Sequence, residues 1–394
     1  MAHGKHTHAR DSYQLSPETF TKGRNILTGL ALFSWVGLAA GFATDPARFH
    51  QSYLVAFLLV ASIVIGSLFF VIVQHLTGAA WSVSVRRIAE NIAASMPVVG
   101  LLFIPVALGV AYTYSWSTHA VHGKEAYLSN QWFYIRAVIF FVGWSLLALK
   151  LNSNSTAQDA TKDRKYTDSS GKFSPPGMLF LFLTGTLASF DWIMSLNPHW
   201  YSTIFGIYFL AGSAWGFYAI LILIAITLRE CGVLANSINE EHYHDLGKWM
   251  FAHTVFWAYI AFSQYMLIWY ANLPEETIFF HRRTEGTWAI WSAILVIGHF
   301  WLPFFVLMTR AAKRNLKLLR IVAIWVVFMQ WFDLYWLVMP TFQVGNFNLN
   351  WMDFVAPIAT LSTVGIEFWR RMGAHSIVPT GDPEFEKGLE FQNV

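Results

Sequence analysis

A chain of 394 residues that is 55% hydrophobic and only 12% charged, with a mean hydropathy of +0.44, cannot cover a water-soluble surface, because soluble domains carry roughly 25% charged residues. One cysteine, Cys231, and no CxxCH string exclude a disulfide framework, a cysteine-rich zinc site, an iron–sulfur cluster and a covalently held haem. The net charge of +3 is small, does not suggest nucleic acid as a partner, and is informative only through its placement.

Residues 1–23 read as a disordered polar tail; its His3, His6 and His8 have a spacing that can catch a metal ion, but no metal site is expected. Ten apolar runs follow that are long enough, at roughly 20 helical residues, to cross a hydrocarbon core. They lie near 24–43, 53–76, 88–111, 131–150, 178–196, 201–228, 248–271, 286–309, 319–340 and 350–369. Pro97 and Pro105 interrupt the third run, which a membrane helix tolerates where neighbours re-satisfy the freed backbone groups. The runs are continuous and do not alternate over about ten residues, so a β-barrel is disfavoured. The stretch 151–177, rich in Ser, Thr, Asp and Lys, reads as a mobile loop, and 372–394 as a second tail. The transmembrane domain is thus 24–371 and all-α. The first apolar run is followed directly by others, so no cleavable signal peptide is expected. No repeat of identical residues stands out.

If the spans alternate, 21 Lys and Arg fall on the side of the two tails and four, Arg48, Lys124, Arg282 and Arg283, on the other. The positive-inside rule then puts both termini in the cytoplasm. Aromatic clusters at Tyr112, Tyr114, Trp116, Trp132, Phe133 and Tyr134, and at Trp331, Phe332, Tyr335 and Trp336, fall towards the outer leaflet. Anchoring and packing account for them, with a planar apolar surface for a lipid-soluble ring or a large partner as the alternative.

A charge near the bilayer centre costs roughly 2.5–3.5 kcal/mol on insertion scales, so each intramembrane ionisable residue needs a reason. Towards the outer side lie Arg136, Asp191 and Asp333; towards the cytoplasm lie His75, Glu90, His253 and Glu367; His299 falls near the midplane. Gln264 is eleven residues after His253, close to three turns, and shares its helix face. Arg136 and Asp191 form either a structural ion pair or a proton-binding carboxylate tuned by a guanidinium. Arg86 and Arg87 precede Glu90 by four and three residues, the spacing of a helix-face salt bridge. His75 and His253 lie at similar depth, but one such coincidence is a weak basis for a bis-histidine haem. Together these groups form a ladder of the kind proton relays use.

Two strings are more specific. FDWIMSLNPHWYSTIFG, from Phe190 to Gly206, and GKWMFAHTVFWAYIAFSQYMLIWYANLPEE, from Gly247 to Glu276, resemble the F subunits of bacterial alternative complex III, a quinol:cytochrome c or other acceptor oxidoreductase; HLTGAAWSVSVRR, from His75 to Arg87, fits as well. The resemblance covers nearly the whole chain and implies the NrfD-like class of polysulfide-reductase membrane subunits. Its fold would be ten transmembrane helices in two four-helix bundles, spans two to five and six to nine, plus two further helices. It implies the bacterial cytoplasmic membrane, a homologous NrfD-like C subunit, a periplasmic iron–sulfur subunit, c-haem subunits, small membrane subunits and lipids as partners, with haem and iron–sulfur clusters on those partners. It also implies a quinone, menaquinone or ubiquinone, as the possible ligand.

On this reading Asp191 with His199 is the first choice for accepting a quinol proton, with Arg136 as the tuning charge. His299, Asp333, His253, Gln264, His75 and Glu90 are the expected proton path. The competing expectations are a structural scaffold whose buried charges only hold helices in register, and an independent secondary transporter. The last is disfavoured because neither an inverted repeat nor paired Gly/Pro interruptions are visible.

Overall fold

The computed structural model describes residues 13–393, so the three N-terminal histidines lie outside the described residues. Helix α1 (Pro17–Thr44) and helix α2 (Pro46–Thr77) both start the same way, with a proline in the first turn behind a side-chain cap. Ser16 accepts from the Thr19 amide and Asp45 from that of Arg48, which satisfies donors that a helix start leaves free. Gly78, at φ +59°, ends α2 in the left-handed region, where glycine pays no steric cost. The third expected span is broken into α3 (Val83–Ala93), α4 (Met96–Leu102), α5 (Ile104–Leu108) and α6 (Val110–Thr113). Pro97 and Pro105 sit in the first turns of α4 and α5, where a missing N–H is tolerated.

The stretch 151–177 is not a mobile loop. Helix α7 (Asn130–Thr161) and helix α8 (Lys165–Trp192) run on as a hairpin, closed by Lys162 in the left-handed conformation. Its polar residues pack against one another: Asn154 donates to Ser169 and Ser170, and Gln158 to Thr167 and the Asp163 carbonyl. Polarity here marks a helical hairpin held together by side-chain hydrogen bonds.

The second half comprises α9 (Phe205–Glu230), α10 (Glu240–Ala271), the short α11 (Pro274–Thr284), α12 (Trp288–Leu295), a π-helical turn (Val296–Trp301), α13 (Leu302–Leu307), α14 (Arg310–Arg314) and α15 (Leu316–Val338). Helix α16 (Met352–Ala374) and the short α17 (Phe385–Leu389) complete the chain. Among the described residues eight helices are long and apolar enough to cross a membrane, so this is an all-α membrane protein. The run 248–271 falls within α10 and 350–369 overlaps α16 from Met352, but neither is apolar enough to count with those eight. Helix α10 carries Lys248, His253 and Gln264, and α16 carries Asp353, Glu367, Arg370 and Arg371. Both are nevertheless long enough, the 23-residue α16 spanning about 35 Å at 1.5 Å per residue.

Helix α2 is the centre of the packing, touching α3, α8, α9, α15 and α16. Around it α7 packs on α8, α9 on α10 and α15, and α1 pairs with α16. The expected C-terminal tail is instead a strap across the face that carries the chain ends. Ile377 and Val378 are buried, and the Ile377 amide donates to the Tyr13 carbonyl at 2.8 Å. Further along, Asn239 donates to the Phe391 carbonyl, and Asn393 to Glu241 and Asp245.

On this face His242, fully buried at the third position of α10, closes a capping box with Asn239, whose amide donates to His242 Nδ1 at 3.2 Å. Burial pulls its imidazole down to about 4. The ring is therefore neutral when folded, whereas an unfolded histidine takes up its proton near 6.5. Its contribution is complete above pH 6.5 and is lost as the pH falls towards 4, by roughly 3 kcal/mol in all. Thermal unfolding in detergent between pH 7.5 and 4 is expected to show a shallower acid-side fall in His242→Gln, which keeps the capping acceptor, than in the wild type. Equal slopes would remove this assignment.

Candidate functional site: buried ionisable groups

Near the chain-end face, α3 brings three charges into the core. Arg86 and Arg87 each donate to Glu90 at 3.2 Å, so the i,i+4 and i,i+3 pairs expected from the spacing are formed. Arg86 also binds Asp382 of the C-terminal strap. Arg87, with no exposed surface, donates to both oxygens of Asp159, to the Ser155 hydroxyl and carbonyl, and to the Ser376 carbonyl. His75 Nε2 lies 3.9 Å from Glu90. His253 instead faces Phe69, Tyr218, Trp249 and Phe256, with its Nδ1 on the Trp249 carbonyl at 2.9 Å. The two histidines thus turn to different neighbours.

At the opposite end Arg136 grips Asp191 with two hydrogen bonds, 2.7 and 2.9 Å, and its guanidinium lies over the Tyr127 ring. Such fork-on-fork pairing lets a buried carboxylate remain charged. Asp191 and His199 are not brought together. Helix α8 ends at Trp192 with Asp191 buried inside it, while His199 is exposed on the following turn. His199 lines a cavity of about 530 Å³ together with Tyr112, Tyr114, Asn197, Trp200 and Arg282; Asp191 is not on its wall. Arg282 is tied to Asn197.

Asp333 on α15 is buried and hydrogen-bonded by the Tyr208 hydroxyl of α9 at 2.5 Å. The Trp257 indole of α10, whose N–H has no other acceptor, lies beside it. Trp257 also stacks on His299 at 3.6 Å, and Trp215 covers the other side at 3.8 Å. His299 is fully buried, and neither ring nitrogen has a protein partner. It sits in the π-helical turn, four residues before Pro303. Pro303 has no N–H to return to the His299 carbonyl, which gives a local reason for the widened turn; Trp325 donates to the adjacent Gly298 carbonyl at 2.8 Å. Tyr218 Oη and Gln330 Oε1 in the same half are also buried without a protein partner. Groups of this kind are normally satisfied by internal water. Gln264 accepts from Ser202 at 3.0 Å, and it is buried along with His253 on one face of α10.

No protein-family model matches this chain, and no curated protein matches it. The site must therefore be read from its own chemistry. Among the described residues no group of three or more His, Cys, Asp or Glu has the arrangement to hold a metal ion. The site's fully buried titratable members include Asp191, His299 and Asp333.

Two residues of the site escaped the sequence reading. Arg283, counted there as a loop charge, is fully buried; it donates to the carbonyls of Trp336, Phe279 and Leu337 at 3.1, 2.8 and 2.6 Å. Arg48, also counted as a loop charge, is ion-paired with Asp353 of α16. A signal for Arg283 was present. The string R-x7-W-S occurs at Arg136–Ser145 and again at Arg283–Ser292, and F-D-x6-P at Phe190–Pro198 and again at Phe332–Pro340. Arginine and aspartate are 55 residues apart in the first set and 50 in the second, so a search at one fixed period passes over the repeat.

Proposed function

We propose that this chain is an integral membrane subunit of a quinol:electron-acceptor oxidoreductase of the alternative complex III type, in a respiratory or photosynthetic chain, and that it carries protons while electrons travel through other subunits. The observation that carries the proton role is His299: a fully buried imidazole whose two nitrogens have no protein partner, stacked between Trp215 and Trp257, the second of which lies beside Asp333. An imidazole with both nitrogens free of protein can accept a proton on one and release it from the other. The fold is then ten spans, with α10 and α16 completing the eight more apolar helices, and both termini in the cytoplasm of a bacterium. The partners are a homologous NrfD-like subunit and periplasmic iron–sulfur and c-haem subunits. A quinone-facing surface falls at the cavity of His199 and Arg282, whose size lies within the range of small-molecule sites.

The test is turnover and proton release per complex in liposomes. His299→Leu and His253→Ala are expected to lower quinol turnover, and with it the rate of proton release, by at least about tenfold, the scale at which a lost general acid–base group is felt. Wild-type values for both variants would discard the relay.

A scaffold reading is favoured by a different observation, the bidentate Arg136–Asp191 pair. It assigns Asp191 to assembly. Asp191→Asn is then expected to lower the yield of complex with turnover per complex unchanged.

A further inference from the structure

The two sets of repeated residues occupy corresponding places in the two halves. R-x7-W-S begins on α7 in the first half and at the end of α11 in the second; F-D-x6-P runs out of α8 and out of α15. The turns that follow the two F-D strings meet, Asn197 donating to Thr341 at 3.1 Å. Matching positions nevertheless hold their charges differently. In the first half the arginine closes on the aspartate as a two-pronged ion pair. In the second half Arg283 gives its donors to three backbone carbonyls and lies 3.4 Å over the Phe279 ring. Asp333 is left to the Tyr208 hydroxyl.

Asp333 is unusual among the described residues. Six carboxylates are buried among the described residues: Glu90, Asp191, Asp245, Asp333, Asp353 and Asp382. Five form salt bridges, with Arg86 and Arg87, Arg136, Lys248, Arg48 and Arg86 respectively. Asp333 forms none. A buried charge without an ionic partner is expensive, whereas a carboxylic acid in the same place costs far less. The Tyr208 contact serves both forms, because a hydroxyl donates to a carboxylate and, after rotation, accepts from a carboxylic acid. The groups facing Asp333 are Tyr208 from α9, Trp257 from α10 and, at longer range, the Arg283 guanidinium from α11; behind Trp257 stands His299 from the π-helical turn.

We propose that Asp333 is the proton-exchanging acid of this chain, protonated in the resting protein, and that Asp191, its counterpart in the first half, is a permanently charged structural partner of Arg136. This reverses the priority that depth alone suggested. It rests on the proposed proton role only for its use in turnover, since the protonation itself is a property of the isolated chain.

The experiment is infrared spectroscopy of the purified full-length protein in detergent at neutral pH, reading the carbonyl stretch of buried carboxylic acids and its shift in heavy water. The wild type is expected to show such a band. Asp333→Asn abolishes it, and Asp191→Asn leaves it in place. Tyr208→Phe, which keeps the acid and removes its hydrogen-bond partner, shifts the band without removing it and covers the case in which Asp333→Asn does not fold. Absence of a band in the wild type, a band that survives in Asp333→Asn, or one lost in Asp191→Asn or unmoved in Tyr208→Phe overturns the proposal. None of these outcomes depends on quinol oxidation, so failure of the assignment and failure of the complex-level reading are separate results.

Discussion

Arg87→Met is expected to lose about 3–5 kcal/mol of stability, the range for removing one partner of a buried ion pair. The side chain has no exposed surface and joins three segments: its own α3 through Glu90 one turn on, the end of α7 through Ser155 and Asp159, and the C-terminal strap through Ser376. Methionine fills most of the volume but leaves the Asp159 carboxylate without its guanidinium, beneath a strap that still covers it through the Gly381 amide. Glu90 keeps Arg86, so the main damage falls at the junction of α7 with the strap. The check is the midpoint of thermal unfolding and the folded yield in detergent. Arg164→Met is the control: Arg164 is paired with Asp168 at 3.8 Å but three-quarters exposed, and exposed pairs contribute at most about 1 kcal/mol. If the two substitutions cost the same, the buried cluster does not hold this face together. Asp159→Asn added to Arg87→Met is expected to recover part of the loss, because it removes the stranded charge.

These residues also show what the sequence makes legible. The Arg86–Glu90 and Arg87–Glu90 pairs follow from helical spacing, and Arg136–Asp191 from depth, because each depends on a geometry that a straight helix in a bilayer imposes. The Asp159 and Ser376 contacts of Arg87 lie 72 and 289 residues away, and no periodicity announces them. Asp191 and His199 illustrate the opposite error. Eight residues apart and both polar, they invite a shared site, yet one lies on the inner face of the last turn of α8 and the other beyond the helix end. Sequence proximity across a helix terminus says little about direction.

Composition misled at 151–177, where a polar stretch read as a loop is a helical hairpin held by its own hydrogen bonds. The more polar α10 and α16 depart from the hydropathy of a simple span, yet both are helical where runs 248–271 and 350–369 were expected. The aromatic clusters divide similarly: Tyr114, Trp116 and Phe133 pack on one another inside the protein, while Tyr112 and Trp132 are half exposed. Arg283 was hidden by its place in a short outer segment. Only its match to Arg136, eight residues ahead of a Trp-Ser pair in both halves, marks it as part of the site.

Gly66→Ala is expected to cost about 3 kcal/mol, the upper end for overpacking a close-packed core. Gly66 lies on α2 where it crosses α9, and a Cβ there would come within 2.2 Å of the Ser213 carbonyl oxygen and 2.8 Å of Phe217 Cβ. A side chain in the way could rotate; a helical carbonyl cannot, so the two helices must move apart. The seam between them joins the two halves, and its neighbours include His253, which lines the same small apolar pocket as Gly66. Gly29→Ala is the matched control on α1, where a Cβ meets nothing within 4 Å; there alanine's helix preference over glycine is expected to add roughly 0.5–1 kcal/mol. Unfolding midpoints of the two variants should therefore move in opposite directions. A Gly66→Ala midpoint at or above that of the wild type would mean that α2 and α9 do not cross at this distance. The arrangement of the second half around His299 and Asp333 would then have to be redrawn, since α9 supplies both Trp215 and Tyr208 to it.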